Sequence, residues 1–278
     1  MPYAERMSRL RSRPAVPPRL RLALALVLAL LAGGAVGRVS TVLLRPPLVL
    51  GQDAAYPGSA AVVRLEREPH PFIDIQPQDG RANTLLVLYP GGLVRPQAYE
   101  WLGRALAADG VQTVIPVFPL DLAVLGVNRA GELIDRFGPG KRVVLAGHSL
   151  GGAMAASYAA RHPADLSGLI LMAAYPAGNV SLRAAPYPVL SLLAERDGVA
   201  SAADVRGGLS RLPPNTALTV LPGAVHAFFG RYGPQKGDGQ PTVTREETER
   251  RIVAAVRAFL HALPERGAAS TQPARQGR

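Results

Sequence analysis

One serine of this chain lies at the centre of a sequence that is typical of a sharp turn between a strand and a helix. The apolar residues 142–146 lead into residues 147–151, Gly-His-Ser-Leu-Gly, and an alanine-rich segment follows. Small residues on either side of Ser149 let the strand and the helix approach closely, so the turn holds the hydroxyl exposed. A serine hydroxyl becomes a useful nucleophile only beside a base and an oxyanion-binding site. The pattern predicts that Ser149 is a nucleophile, although a helix N-cap would also suit serine here.

A carboxylate and an imidazole follow the strands that we predict at residues 189–194 and 217–221. The order Ser149, Asp197, His226 along the chain is the nucleophile–acid–base order of one large class of serine hydrolases. In that arrangement His226 takes the proton of the serine, and Asp197 holds the imidazole in the correct tautomer. Three polar residues at three strand ends, in this order, are more specific than the serine turn alone.

Both the acid and the base have alternative interpretations. Glu195 follows the same predicted strand and is a rival acid. Asp197 directly precedes Gly198 and would also suit a turn. His226 would also suit a histidine whose hydrogen bonds are satisfied within the core or at the surface. The chain order of the three residues is what favours the catalytic interpretation.

The oxyanion that forms when a serine attacks a carbonyl needs preorganised hydrogen-bond donors. One expected donor is the backbone N–H of Leu150, directly after the predicted nucleophile. The other is expected in the loop after residues 84–89, at Gly92, because a glycine lets the backbone come close to a substrate. Gly91 and Gly92 would also suit a simple turn. His148 is expected to point away from the nucleophile, toward packing or a hydrogen bond.

Alternating strand and helix patterns must position these residues. Apolar runs and period-two alternation predict eight strands, at residues 60–67, 72–76, 84–89, 111–117, 142–146, 169–174, 189–194 and 217–221. Helical spacing predicts helices at residues 98–108 and 128–137, from the serine turn to about 162, and at 201–209 and 244–263. This alternation predicts an α/β fold with a mostly parallel, doubly wound sheet of about eight strands. The segment 174–188 is too short for a large lid domain.

The composition of the chain excludes several classes of function. Its 278 residues are 48% hydrophobic and 18% charged, enough for one large α/β domain with a sizeable core. The formal net charge is +11, but residues 1–45 hold eight arginines and one glutamate, and residues 265–278 hold three arginines and one glutamate. The rest of the chain is nearly neutral, so we expect no nucleic-acid surface. The absence of cysteine excludes disulfides, thiolate metal sites and a cysteine nucleophile.

The N-terminal residues have the pattern of a membrane segment. Six arginines precede an uncharged run at 22–36, which continues past Arg38 to residue 44 and is then long enough to cross a bilayer. The basic residues are expected in the cytoplasm and the rest of the chain outside it. Secretion after cleavage of a signal peptide, or a buried core helix, is the alternative. The predicted organisation is a basic segment at residues 1–21, a membrane segment at 22–44 and a linker at 45–59. One domain follows at 60–264, and a disordered tail at 265–278.

Several motifs of the chain occur together. They are residues 89–94 (Tyr-Pro-Gly-Gly-Leu-Val), 147–152 (Gly-His-Ser-Leu-Gly-Gly), 197–198 (Asp-Gly), 226–235 (His-Ala-Phe-Phe-Gly-Arg-Tyr-Gly-Pro-Gln) and 237–239 (Gly-Asp-Gly). In combination they resemble a compact bacterial α/β-hydrolase family that is related to dienelactone hydrolases and often carries an N-terminal membrane segment. The resemblance covers roughly residues 60–263. It implies a catalytic triad of Ser149, Asp197 and His226. It also implies backbone hydrogen-bond donors at Leu150 and near Gly92.

Dienelactone hydrolases use a cysteine where this chain has Ser149, so the resemblance favours ordinary ester chemistry over lactone hydrolysis. The aromatic stretch after His226, together with Asp238, is expected to hold that histidine in place, and lining the acyl pocket is the alternative. Asp238 and Gly239 resemble half of a calcium loop but lack its spaced acidic ligands.

The sequence therefore predicts an α/β-hydrolase-fold serine hydrolase that cleaves carboxylic esters or thioesters through an acyl-enzyme, without metal or organic cofactor. The expected partners are a small-molecule ester and, through the N-terminal segment, the cell membrane. The sequence carries no signal for an oligomeric state. Two alternatives stay open: acyl transfer by the same residues, and a non-catalytic, membrane-tethered binding module with this fold.

Overall fold

The computed structural model describes residues 48–51, 59 and 61–264. The predicted basic segment, membrane segment and tail, and most of the predicted linker, lie outside these residues. Within the described part of the chain, no helix combines the length and the apolar character that crossing a bilayer requires. The membrane segment at 22–44 therefore stays a prediction.

The described residues form one eight-stranded sheet. Its strands are β1 (Ala61–Glu66), β2 (Phe72–Pro77), β3 (Thr84–Tyr89), β4 (Val111–Pro116), β5 (Arg142–His148), β6 (Gly168–Met172), β7 (Val189–Ala194) and β8 (Ala217–Leu221). Their spatial order is β1-β2-β4-β3-β5-β6-β7-β8. β2 pairs antiparallel with both β1 and β4, and the other neighbouring strands pair in parallel. The carboxyl ends of β3 to β8 consequently meet at one edge, where such sheets bind ligands.

The burial of each strand follows from its place in the sheet. Every residue of β3 and of β7 is buried, as expected for apolar strands that are covered on both faces. β8 pairs with β7 alone and keeps exposed and half-buried positions.

Helices cover both faces of this sheet. In the described residues they are α1 (Glu100–Leu106), α2 (Arg129–Phe137), α3 (Leu150–Arg161), α4 (Ala202–Gly208) and α5 (Arg245–Ala262). Alternate residues of β3 divide between two cores. Leu86 and Leu88 belong to the core that includes α1, α4 and α5, whereas Leu85 and Val87 belong to the core that includes α2 and α3. Burial of these apolar faces drives the assembly, at about 25 cal/mol per Å² of apolar surface.

The predicted fold is confirmed, with differences at the ends of elements. β5 extends beyond the predicted strand because its parallel pairing with β6 continues to His148, opposite Met172. The predicted helix at 98–108 is a seven-residue α-helix flanked by two short 3-10 helices. Residues 173–188 contain neither helix nor strand, so no lid domain is inserted between β6 and β7.

Candidate active site

Ser149 lies at the junction between β5 and α3. Its backbone has φ 52° and ψ −124°, a conformation that L residues rarely adopt and that costs about 1–3 kcal/mol. The N–H of Ser149 donates to the carbonyl of Met172 at the end of β6, with an N···O distance of 3.0 Å. The carbonyl of Ser149 accepts from the N–H of Ala153 at 3.1 Å, inside α3. The serine is therefore held at a sharp turn and stays half-buried rather than covered.

Glycines on both sides of the serine make this turn possible. A Cβ atom on Gly147 would lie 2.6 Å from the backbone of Gly151. A Cβ atom on Gly151 would lie 2.2 Å from the carbonyl oxygen of Pro90, and one on Gly152 would lie 2.3 Å from Cβ of Ala174. These distances are too short for real carbon atoms, so the three positions require glycine. The start of α3 consequently packs directly against β5 and against the loop after β3.

Asp197 and His226 form a buried hydrogen-bonded pair. Oδ2 of Asp197 lies 2.7 Å from Nδ1 of His226, and the two residues are 7% and 1% exposed. Oδ1 of Asp197 accepts from the backbone N–H groups of Val199 and Ala200, at 2.8 and 2.7 Å. Both carboxylate oxygens therefore have fixed partners, and the imidazole can rotate only by breaking a buried bond.

The alternative acid lies apart from this pair. Glu195 is exposed, and its carboxylate accepts from the backbone N–H of Gly223 at 2.7 Å. The structure thus brings Asp197, and not Glu195, to His226.

A second carboxylate joins the loops that carry this pair. Oδ1 of Asp238 accepts from the backbone N–H groups of His226 at 3.0 Å and Gly198 at 3.2 Å. Oδ2 of Asp238 accepts from the N–H of Ala227 at 2.8 Å. One side chain therefore links the loop after β7 to the loop after β8. In the described residues, no three His, Asp or Glu side chains converge to hold a metal ion.

Within the described part of the chain, the N–H of Gly92 in the loop after β3 has no hydrogen-bond acceptor. The neighbouring amides are all used, with Gly91 donating to the hydroxyl of Tyr99 at 2.9 Å, Leu93 to the carbonyl of Asp121 at 2.9 Å and Val94 to the carbonyl of Gly91 at 3.1 Å.

Gly92 lies directly against Leu150. A Cβ atom on Gly92 would be 3.0 Å from Cδ2 of Leu150. Leu150 is the first residue of α3, so its N–H has no acceptor within the helix. The two amides expected to bind an oxyanion therefore belong to segments in contact.

His148 lies fully buried directly before the serine, and it contacts both the β3 loop and His226. Its Nδ1 is 2.8 Å from the hydroxyl of Tyr99, which also accepts from the N–H of Gly91. The ring centroid of His148 is 4.5 Å from that of His226 and 5.3 Å from that of Phe229. The expectation that His148 serves packing and a hydrogen bond agrees with these contacts.

The direction of these hydrogen bonds follows from the chemistry of the groups. The Gly91 N–H can only donate, so the hydroxyl oxygen of Tyr99 accepts and its own proton is directed to Nδ1 of His148. Burial raises the pKa of Tyr99, which keeps that proton in place. Burial, followed by the nearby His226, lowers the pKa of His148 well below its ordinary value, so His148 stays neutral. No motif marks Tyr99, which lies 49 positions from His148 in the sequence.

For the ester hydrolysis that the sequence predicts, replacing Tyr99 with phenylalanine is expected to lower kcat by about tenfold, because it leaves the Gly91 N–H and Nδ1 of His148 without a partner. KM should change by less than about twofold, because the hydroxyl acts through the amide loop rather than on the substrate. Steady-state kinetics on an activated ester measure both values.

Tyr187 offers a matched control on another part of the protein. It is buried, and its hydroxyl donates to the carbonyl of Ala159 at 3.1 Å. Both Tyr99→Phe and Tyr187→Phe should lower Tm, since each removes a buried hydrogen bond, but Tyr187→Phe should leave kcat unchanged. Equal losses of kcat in the two variants would contradict a specific role for Tyr99.

A cavity of about 310 Å³ adjoins the β3 loop. Its lining combines apolar and polar side chains, from Leu93, Val94, Arg95, Gln97, Ala98, Arg231 and Tyr232. This volume is in the range of small-molecule sites.

Comparison with known proteins agrees with this architecture. The family model described as "Alpha/beta hydrolase family" matches residues 85–250. A predicted CIB-like hydrolase from Thermoplasma acidophilum superimposes with a TM-score of 0.54 at 16% identity, over 72% of this chain and 100% of that one. Est1E from Butyrivibrio proteoclasticus superimposes with a TM-score of 0.53 at 14% sequence identity, over 73% of this chain and 98% of that one.

Among curated proteins, none matches the chain in sequence. The two solved structures share the fold with this chain at low sequence identity. The family match spans β3 to the first turns of α5, more than half of the chain, and includes the serine turn and the Asp197–His226 pair. The chain therefore belongs to the alpha/beta hydrolase family.

Proposed function

We propose that the protein is a serine hydrolase that cleaves carboxylic esters or thioesters through an acyl-enzyme, with Ser149 as nucleophile, His226 as base and Asp197 as the supporting acid. The buried 2.7 Å contact between Asp197 and His226 carries this proposal. The ring of that imidazole lies against His148, the residue that directly precedes the serine. A histidine held by an aspartate, with its ring against the residue that precedes a strained serine, supports acyl-transfer chemistry at this site.

Acylation begins with attack by Oγ of Ser149 on the carbonyl carbon of the substrate. The serine proton passes to Nε2 of His226, because Nδ1 is engaged with Asp197. The carbonyl electron pair moves onto oxygen, and the amides of Leu150 and Gly92 stabilise the negative charge. The intermediate then releases the alcohol or thiol, which takes the proton from His226.

Deacylation repeats these steps with water as the nucleophile. His226 accepts a proton from water, the hydroxide oxygen bonds to the acyl carbon, and the second oxyanion occupies the same site. Its collapse breaks the bond to Ser149, which regains its proton from His226. Neutral His148 supports this cycle, because a second cation next to the imidazolium would oppose its formation.

The proposal also includes a closer family relation, a location in the cell and a preferred kind of ester. The motif at residues 89–94 and the segment that starts at His226 support a relation to dienelactone hydrolases. The arginine-flanked apolar run supports a single-pass anchor with the domain outside the cytoplasm. Ser149 in place of cysteine favours simple esters over lactones.

Covalent labelling tests the proposal directly. A fluorophosphonate probe is expected to modify the purified full-length protein once, with the adduct on the peptide that contains Ser149. Heat-denatured protein and Ser149→Ala should remain unlabelled. A folded protein that resists the probe, or an adduct on another serine, would contradict the assignment.

A further inference from the structure

We propose that four residues, Leu93, Leu120, Val124 and Leu125, form an apolar rim that binds the hydrocarbon part of the ester. The inference rests on the proposed function and adds a substrate class to it: esters with a hydrocarbon chain longer than acetyl or ethyl.

The two leucines have an unfavourable backbone and little packing to compensate for it. Leu93 has φ 61° and is 55% exposed, and Leu120 has φ 54° and is 45% exposed. Left-handed backbone favours glycine or asparagine, and a leucine there is strained. Strain that persists without a packing gain is typical of residues with a binding or catalytic role.

The apolar rim adjoins the amide that we assign to the oxyanion site. Leu93 directly follows Gly92, and its N–H donates to the carbonyl of Asp121, the residue after Leu120, at 2.9 Å. Cδ2 of Leu122 would be 3.8 Å from a Cβ atom on Gly92. The loop 118–122 and the loop 91–94 are therefore joined at the expected position of the substrate carbonyl.

The exposed apolar surface is concentrated at this place. The described residues include seven large hydrophobic side chains that are exposed, and four of them form the apolar rim. Val124 is 51% exposed and Leu125 is 53% exposed. Three of the four lie within residues 120–125, in the segment that is hydrogen-bonded to Leu93, and exposed apolar residues grouped in this way indicate a binding surface.

The apolar rim adjoins the Gly92 amide, and this position indicates which part of a substrate the rim binds. Because Leu93 directly follows Gly92, we expect a carbonyl oxygen that binds the Gly92 amide to bring the carbons on one side of the ester close to Leu93. Burial of each methylene group there strengthens binding by up to about fourfold. Hydrocarbon is therefore the chemistry that the apolar rim recognises, in either the acyl or the alcohol part of the ester.

Substitution by asparagine tests the inference, because asparagine tolerates left-handed backbone and removes the apolar contact. The full-length double variant Leu93→Asn, Leu120→Asn is compared with the unmodified protein on p-nitrophenyl acetate and hexanoate, and on ethyl and hexyl acetate. We expect kcat/KM for one of the two long-chain esters to fall by about tenfold relative to its short partner. A fall for hexanoate assigns the chain to the acyl part, and a fall for hexyl acetate assigns it to the alcohol part.

Two further measurements complete the test. The Tm of the double variant should equal or exceed that of the unmodified protein, since strain is removed and little packing is lost. Val220→Thr, an exposed position on β8, should leave chain-length preference unchanged. Parallel losses on long and short esters, no change on either, or a Tm several degrees lower would overturn the inference. If the inference fails but the protein hydrolyses p-nitrophenyl acetate and is labelled on Ser149, the proposed function still holds.

Discussion

Replacing Ser149 with alanine is expected to lower kcat on an activated short-chain ester by about 10⁶-fold. The variant retains the oxyanion amides and the Asp197–His226 pair, but it has no oxygen that can form the acyl-enzyme. Its residual rate should come from binding and oxyanion stabilisation alone. Initial rates at saturating substrate, measured on protein of equal purity, give this ratio.

Ser157 provides the matched control within the same helix. Its hydroxyl donates to the carbonyl of Ala153 at 2.9 Å, away from the strained turn. Ser157→Ala should keep kcat within about twofold of the unmodified protein, as is usual for surface substitutions. Near-normal turnover by Ser149→Ala would remove that serine as the nucleophile.

Replacing Asp197 with asparagine is expected to lower kcat by about 10⁴-fold. The amide retains the shape of the carboxylate, but its NH₂ group favours the tautomer with the proton on Nε2 of His226. That nitrogen then cannot accept the serine proton. The lost negative charge also leaves the imidazolium without a counter-charge in a buried site. The ratio is measured with the same activated ester.

Glu195→Gln discriminates between the two acids that follow β7. Glu195 is exposed and bonded to Gly223, so its substitution should change kcat by less than about threefold. A large loss in Glu195→Gln together with a small one in Asp197→Asn would reverse the roles of the two acids.

The order and location of the main residues were predictable because the sheet is built from simple periodic patterns. Apolar runs predicted β5, β7 and β8, and parallel strands present their carboxyl ends at one edge. The serine, the aspartate and the histidine each follow one of these strands. The sequence pattern could not decide between Asp197 and Glu195, because that choice depends on which carboxylate lies close to His226.

The partners that hold the site were not predictable in this detail. Tyr99 precedes α1 and meets His148 only because α1 packs on the sheet. The sequence indicated that Asp238 helps to hold His226, but its hydrogen bonds to Gly198, His226 and Ala227 depend on how an irregular loop folds back. The strain at Leu93 and Leu120 was not predictable either, because no sequence pattern around a leucine indicates a positive φ.

The side chain of Asp238 also bears on the order in which the chain is synthesised. It fastens Gly198, forty positions earlier, to the segment that carries His226. We therefore expect the proposed proton relay to become aligned only after residue 238 has left the ribosome and folded back.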